Sequence, residues 1–122
     1  VIEGKFAESG FIENIVVLGE NQKYAGAIIV PDFAFLKTWC QKHEIQFTTP
    51  KEMINNAEVK RRYAEEVKKI NQNFGDTEKI KRYELIADEW SVNNGILTPT
   101  LKVKRNVVKE AYKDLIEMMY KD

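Results

Sequence analysis

An α+β domain is the fold class this chain predicts, and three observations predict it. Two β-rich runs, Ile12 to Leu18 and Tyr24 to Val30, flank a short Gly/Asn turn, which is the pattern of an antiparallel hairpin. A third β-rich run, Lys79 to Ala87, follows a segment in which Val59, Tyr63, Val67, Ile70 and Phe74 recur at helical spacing. The C-terminal stretch from about Asn106 to Tyr120 carries another apolar stripe: Val108, Ala111, Tyr112, Leu115 and Met119. The expectation is a small, mainly antiparallel sheet, a hairpin plus a third strand, flanked by helices and with a helix last.

Each element has a local reason. Val1 to Glu8 spaces Ile2, Phe6 and Ala7 as the end of a helix that stops near Ser9-Gly10. Gly19-Glu20-Asn21-Gln22 supplies the hairpin turn. Ala25, Gly26 and Ala27 are small, so a bulky group, expected to be a helix, lies across them. Pro31-Asp32 ends the second strand, and Asp32 is a good N-cap for a helix presenting Phe35, Leu36, Trp39 and Cys40. Thr49 caps a further helical piece with Pro50 at its first position, ending by Asn55-Asn56. The long helix from Ala57 is expected to close at Gly75. In the third strand, alternation puts Tyr83, Leu85 and Ala87 on one face and Ile80 and Ile86 on the other. Trp90, in the irregular stretch that follows, is expected to be buried.

Bulk properties exclude several classes. The 122 residues suit one domain, 1–122, with one core. No apolar run approaches the roughly 20 residues of a membrane span, and no signal peptide is visible. Nineteen basic and 19 acidic residues give zero net charge, which argues against nucleic acid as partner. Cys40 is the single cysteine, so no internal disulfide forms and a cytoplasmic setting is the default. It reads as a small buried hydrophobe beside Trp39. His43 stands apart from any second histidine or cysteine, so no metal site is expected. The chain opens at Val1 within a helical pattern, which reads as a fragment of a larger protein.

The most informative stretch is Gly95-Ile96-Leu97-Thr98-Pro99-Thr100-Leu101-Lys102-Val103-Lys104-Arg105. A turn glycine, a loop broken by proline and a basic cluster stand just before a helix, so a cation is carried at the tip of an ordered loop. Other pieces sit around it in order: Phe11 to Asn21 followed by Lys23-Tyr24, Ala27 to Asp32, Asn73-Phe74, Glu78 to Tyr83, and Ser91 to Gly95. This ordered set resembles the C-terminal domain of adenylate-forming acyl-CoA synthetases of the long-chain fatty-acid type, over essentially the whole chain.

The resemblance implies a mobile C-terminal lid of an ATP-dependent long-chain fatty-acid–CoA ligase, a single piece from which the hinge and the N-terminal ATP- and acyl-binding domain are absent. It implies ATP and Mg, bound mainly by that absent domain, with CoA as co-substrate and the N-terminal domain as partner. The parent is expected in the cytoplasm, with peripheral attachment to a membrane left open. Lys102 matches the family's adenylation lysine, with Lys104 as fallback, and Lys104 and Arg105 are candidates for substrate phosphates or for neutralising nearby acids. Gly95, Thr98, Pro99 and Thr100 are candidates for loop support. Leu101 stands where many adenylate-forming enzymes carry glycine, a departure common in the long-chain version. The fragment alone is expected to be inactive. The rival reading is a stand-alone, non-catalytic protein-interaction module docking through the helix Ala57 to Asn73 and the basic loop.

Overall fold

The structure, a computed structural model, describes residues 2–20 and 22–121. In chain order they form α1 (Ile2–Ala7), β1 (Ile12–Leu18), β2 (Ala25–Pro31), α2 (Phe33–Lys42), α3 (Pro50–Asn55), α4 (Ala57–Asn71), β3 (Ile80–Leu85), α5 (Arg105–Ala111) and α6 (Lys113–Tyr120). The α+β class holds, and a helix comes last. Val1 of the opening helix and Asn21 of the hairpin turn lie outside the described residues; the turn itself is closed by Gln22 N–H donating to the Gly19 carbonyl at 3.1 Å.

The sheet has the order β1-β2-β3. β1 and β2 pair antiparallel as the hairpin pattern requires, whereas β3 runs parallel to β2. The sheet is therefore mixed. A parallel pair needs a long crossover, and α2, α3 and α4 provide it.

Side-chain caps start all three crossover helices, two of them at the expected Asp32 and Thr49 and the third at Asn56. Asp32 accepts the Phe35 N–H, Thr49 accepts the Glu52 N–H with Pro50 at the first position, and Asn56 accepts from both Glu58 and Val59. The end of α4 departs from expectation. It stops at Asn71 rather than at Gly75, because the Asn71 side chain turns to β3. Its amide donates to the Ile80 carbonyl at 2.9 Å and accepts the Ile80 N–H at 3.0 Å.

Central strand β2 is buried on both sides. Ala27 and Ile29 face a core shared with Phe6, Leu36, Val59 and Tyr63, while Ile28 and Val30 face a second core with Trp90, Ile96, Leu97, Val108 and Met119. Each large aliphatic side chain buried in this way contributes about 1.5–3 kcal/mol. In the first core Tyr63, wholly buried, donates its phenol to the Phe11 carbonyl at 2.7 Å. Cys40 is also wholly buried, and burial pushes its thiol pKa upward. His43 caps α2, stacking on Trp39 with ring centroids 4.3 Å apart.

Simple alternation fails in β3. Ile80 joins Tyr83 and Leu85 on the first core, and Ile86 alone goes to the second. The register explains it: Ile80 and Arg82 oppose the consecutive residues Ala25 and Gly26, so a bulge at Lys81 shifts the phase by one. A bulge at Glu13 does the same in β1 and lets Ile12 and Ile15 share a face.

The last helix is two helices, not one. Tyr112 leaves helical geometry at φ −113°, ψ 25° between α5 and α6. Its hydroxyl donates to Asp88 at 2.8 Å and accepts the indole N–H of the buried Trp90 at 3.0 Å. α6 then crosses the small residues of β2. A Cβ on Gly26 would stand 2.7 Å from the Tyr120 hydroxyl and 2.9 Å from Met119 Cε. That hydroxyl is fixed between the Leu18 and Tyr24 carbonyls, at 3.0 and 3.2 Å, which share its one proton.

Two predictions test this packing. Gly26→Ala should force Tyr120 off its carbonyl partners and destabilise the chain by about 1–3 kcal/mol, read from urea unfolding. The second concerns pH. Burial foremost raises the phenol pKa of Tyr63, Tyr83, Tyr112 and Tyr120, with Tyr112 pushed up to about 12 from 10.0. Folding therefore favours the neutral phenol, so this stabilisation is complete below the unfolded pKa and is lost as pH rises through the folded one. The urea midpoint should hold at pH 9 and fall between about pH 10 and 12, with a smaller drop in Tyr112→Phe.

Candidate functional site

The segment from Gly95 to Arg105 folds as a small hairpin standing on the second core. Its entry is shaped by Asn94, whose side-chain oxygen accepts the Ser91 and Ile96 N–H groups at 3.2 Å each while its amide donates to the Glu89 carbonyl at 2.7 Å. Gly95 follows with φ +82°, a left-handed conformation in which glycine carries no Cβ penalty. Ile96 and Leu97 are buried and anchor the first arm. The second arm returns as Val103, which bridges antiparallel to Leu97 and packs on the same core. Lys104 N–H then donates to the Ile96 carbonyl at 2.8 Å.

The tip is a turn with a left-handed residue at its end. Leu101 N–H donates to the Thr98 carbonyl at 2.7 Å, with Pro99 at the first central position. Leu101 has φ +66° and is 66% exposed, so a β-carbon is held in a conformation that costs about 1–2 kcal/mol. Thr98 braces the turn: its N–H donates to the Lys102 carbonyl at 2.8 Å, its hydroxyl accepts the Lys102 N–H at 3.0 Å, and it meets the Thr100 hydroxyl at 3.1 Å. Lys102 thus has a fixed backbone beneath an exposed side chain. Among the described residues no carboxylate is ion-paired with it. An ammonium so placed is available to a docked anion.

The three basic residues fare differently. Lys102 and Lys104 are exposed on either side of the inward-facing Val103. Lys104 occupies the N-cap of α5 and makes no side-chain capping bond. Arg105 is engaged. Its Nη1 donates to Glu3 Oε2 at 2.6 Å, its Nη2 donates to the Val17 carbonyl at 2.5 Å, and the same Glu3 oxygen accepts the Val17 N–H at 2.7 Å. Both side chains are about two-fifths exposed, so the ion pair contributes no more than about 1 kcal/mol to stability. Beyond it, Arg105, Lys109 and Lys113 line a groove of about 280 Å³ over Leu18 and Tyr120, with Lys109 paired to Glu20 at 3.5 Å.

Among the side chains that hold the hairpin, Thr98 was named for that role from the sequence, whereas Asn94 and Glu3 were not. Asn94 carried a signal, since an asparagine before glycine is turn chemistry. Glu3 carried none, because it lies 102 positions from its partner.

Comparisons with known proteins agree with the family resemblance and the fold. The family model described as AMP-binding enzyme C-terminal domain matches residues 1–122. Long-chain-fatty-acid–CoA ligase 6 of Homo sapiens is 33% identical over 122 residues, covering 98% of this chain and 17% of that protein. Long-chain-fatty-acid–CoA ligase 1 of Homo sapiens is 30% identical over 122 residues, with the same two shares, 98% and 17%. The chain therefore spans 17% of the length of these curated relatives. The adenylation domain of a carboxylate reductase from Mycobacterium chelonae shares the fold, with a TM-score of 0.76 at 19% identity over 99% of this chain and 17% of that one. Matched from end to end, the chain belongs to the AMP-binding enzyme C-terminal domain family.

Proposed function

We propose that this chain is the mobile C-terminal lid of an ATP-dependent long-chain fatty-acid–CoA ligase and that Lys102 supplies its adenylation cation. The observation that carries the reading is the exposed Lys102 side chain on a braced hairpin tip, with no ion-pair partner among the described residues. In the reaction, a fatty-acid carboxylate attacks the α-phosphate of ATP, giving acyl-adenylate and pyrophosphate. The thiol of CoA then attacks the acyl carbon and AMP leaves. The first step brings anion to anion. An ammonium fixed beside both offsets the repulsion and orients the attack. A flexible stem with three donors suits a charge that must arrive, act and withdraw.

The lid enters for adenylation with Lys102 leading, then rotates to offer another face for thioester formation. ATP, its magnesium and the acyl chain are held mainly by the part of the parent enzyme outside this chain. Among the described residues no group of three His, Cys, Asp or Glu side chains could hold a metal ion. Among the described residues, too, no helix is long and apolar enough to cross a membrane.

Lys102→Ala in the full-length enzyme should lower acyl-adenylate formation about 100-fold or more, measured by pyrophosphate exchange, while transfer from preformed acyl-adenylate to CoA stays near normal. Adenylation at an ordinary rate in that variant overturns the assignment. Leu101→Gly should relieve the left-handed strain at the tip and raise the urea unfolding free energy of the chain by about 1 kcal/mol.

A further inference from the structure

We propose that Arg105 is a positioning residue that sets where Lys102 stands, by tying the root of the lysine hairpin to α1 and to the open edge of β1. Its effect on chemistry rests on the role assigned to Lys102; its effect on loop geometry does not.

The argument begins with what holds the two roots of the hairpin. The first root is anchored by Ile96 and Leu97, both buried. The second is held by the Val103 bridge to Leu97 and by the Lys104 N–H bond to the Ile96 carbonyl, but by no fully buried side chain. Val103 is half-buried, Lys104, Asn106 and Val107 are exposed, and the first buried side chain of α5 is Val108. α5 also starts without a side-chain cap. Arg105, the first residue of α5 and three positions after Lys102, fills this gap. Its two terminal nitrogens reach Glu3 on α1 and the Val17 carbonyl on β1, and Glu3 closes the ring by accepting the Val17 N–H. Three segments remote in sequence meet in one cycle of hydrogen bonds.

The ring accounts for both backbone groups of Val17, which go to side chains rather than to β2. A forked guanidinium offers one terminal nitrogen to the carboxylate and the other to the carbonyl, a planar geometry that the point-like ammonium of lysine does not reproduce. A half-exposed ion pair does little for global stability, so the consequence of this one lies in geometry. With its donors on Glu3 and Val17, Arg105 is a brace, and Lys102 is left as the group that meets the substrate. Any displacement of α1 reaches the lysine hairpin through the same ring.

The test has two arms. In the 122-residue chain, backbone 15N relaxation is compared for wild type, Arg105→Ala and Arg105→Lys. In Arg105→Ala the order parameters of residues 100–104 should fall from about 0.85 to below about 0.6, with the urea midpoint nearly unchanged. Arg105→Lys, which keeps the charge and loses the fork, should fall between the two. In the full-length enzyme, Arg105→Ala should slow acyl-adenylate formation about 10- to 100-fold and leave transfer from preformed acyl-adenylate to CoA near normal. An undisturbed hairpin in Arg105→Ala overturns the proposal, whatever Lys102→Ala does. Equal losses in both half-reactions also overturn it, because they report a general structural role. A loosened hairpin together with full adenylation activity in Lys102→Ala sinks the function proposed for Lys102 and leaves the positioning by Arg105 standing.

Discussion

Burial of β2 on both faces is the constraint from which the rest of the architecture follows. Ala27 and Ile29 point one way, Ile28 and Val30 the other, and all four are at most 3% exposed. A strand with apolar side chains on both sides needs a layer on each. The crossover helices with α1 supply one layer; Trp90, the lysine hairpin, α5 and α6 supply the other. The hairpin is therefore part of the cover of the second core, not an appendage. Its first arm is held by Ile96 and Leu97, which that core requires.

On each outer strand of the sheet, side chains take both backbone groups of one residue. On β1 the Glu3 and Arg105 side chains take the N–H and C=O of Val17. On β3 the Asn71 amide takes the N–H and C=O of Ile80. Open strand edges recruit other chains, and such plugs blunt them. The same Arg105 that takes an edge carbonyl stands three residues from Lys102, so edge protection and loop placement share one guanidinium.

Local chemistry was legible in the sequence wherever it acts within a few residues. The caps Asp32 and Thr49, the strand Ile12 to Leu18, the bulk lying over Gly26 and the turn at Gly95 all follow from short-range rules. Features set by distant partners were not. The parallel pairing of β3, the bulges at Glu13 and Lys81, and the early end of α4 depend on which strand lies alongside. The break at Tyr112 depends on Asp88 and Trp90, which no helical period reveals. At the candidate site the lysine was visible through its motif, and the ring that braces it was not, because Glu3 and Val17 come from the other end of the chain.

Cys40 has a practical consequence. Its thiol is wholly enclosed and held toward the protonated form, and the thiolate is the form that reacts. The chain is thus nearly silent toward maleimides and methanethiosulfonates. A cysteine introduced at exposed Thr100 would stand out as the reactive thiol of this chain, so a spin label or fluorophore there could report the travel of the hairpin without first removing the native sulfur.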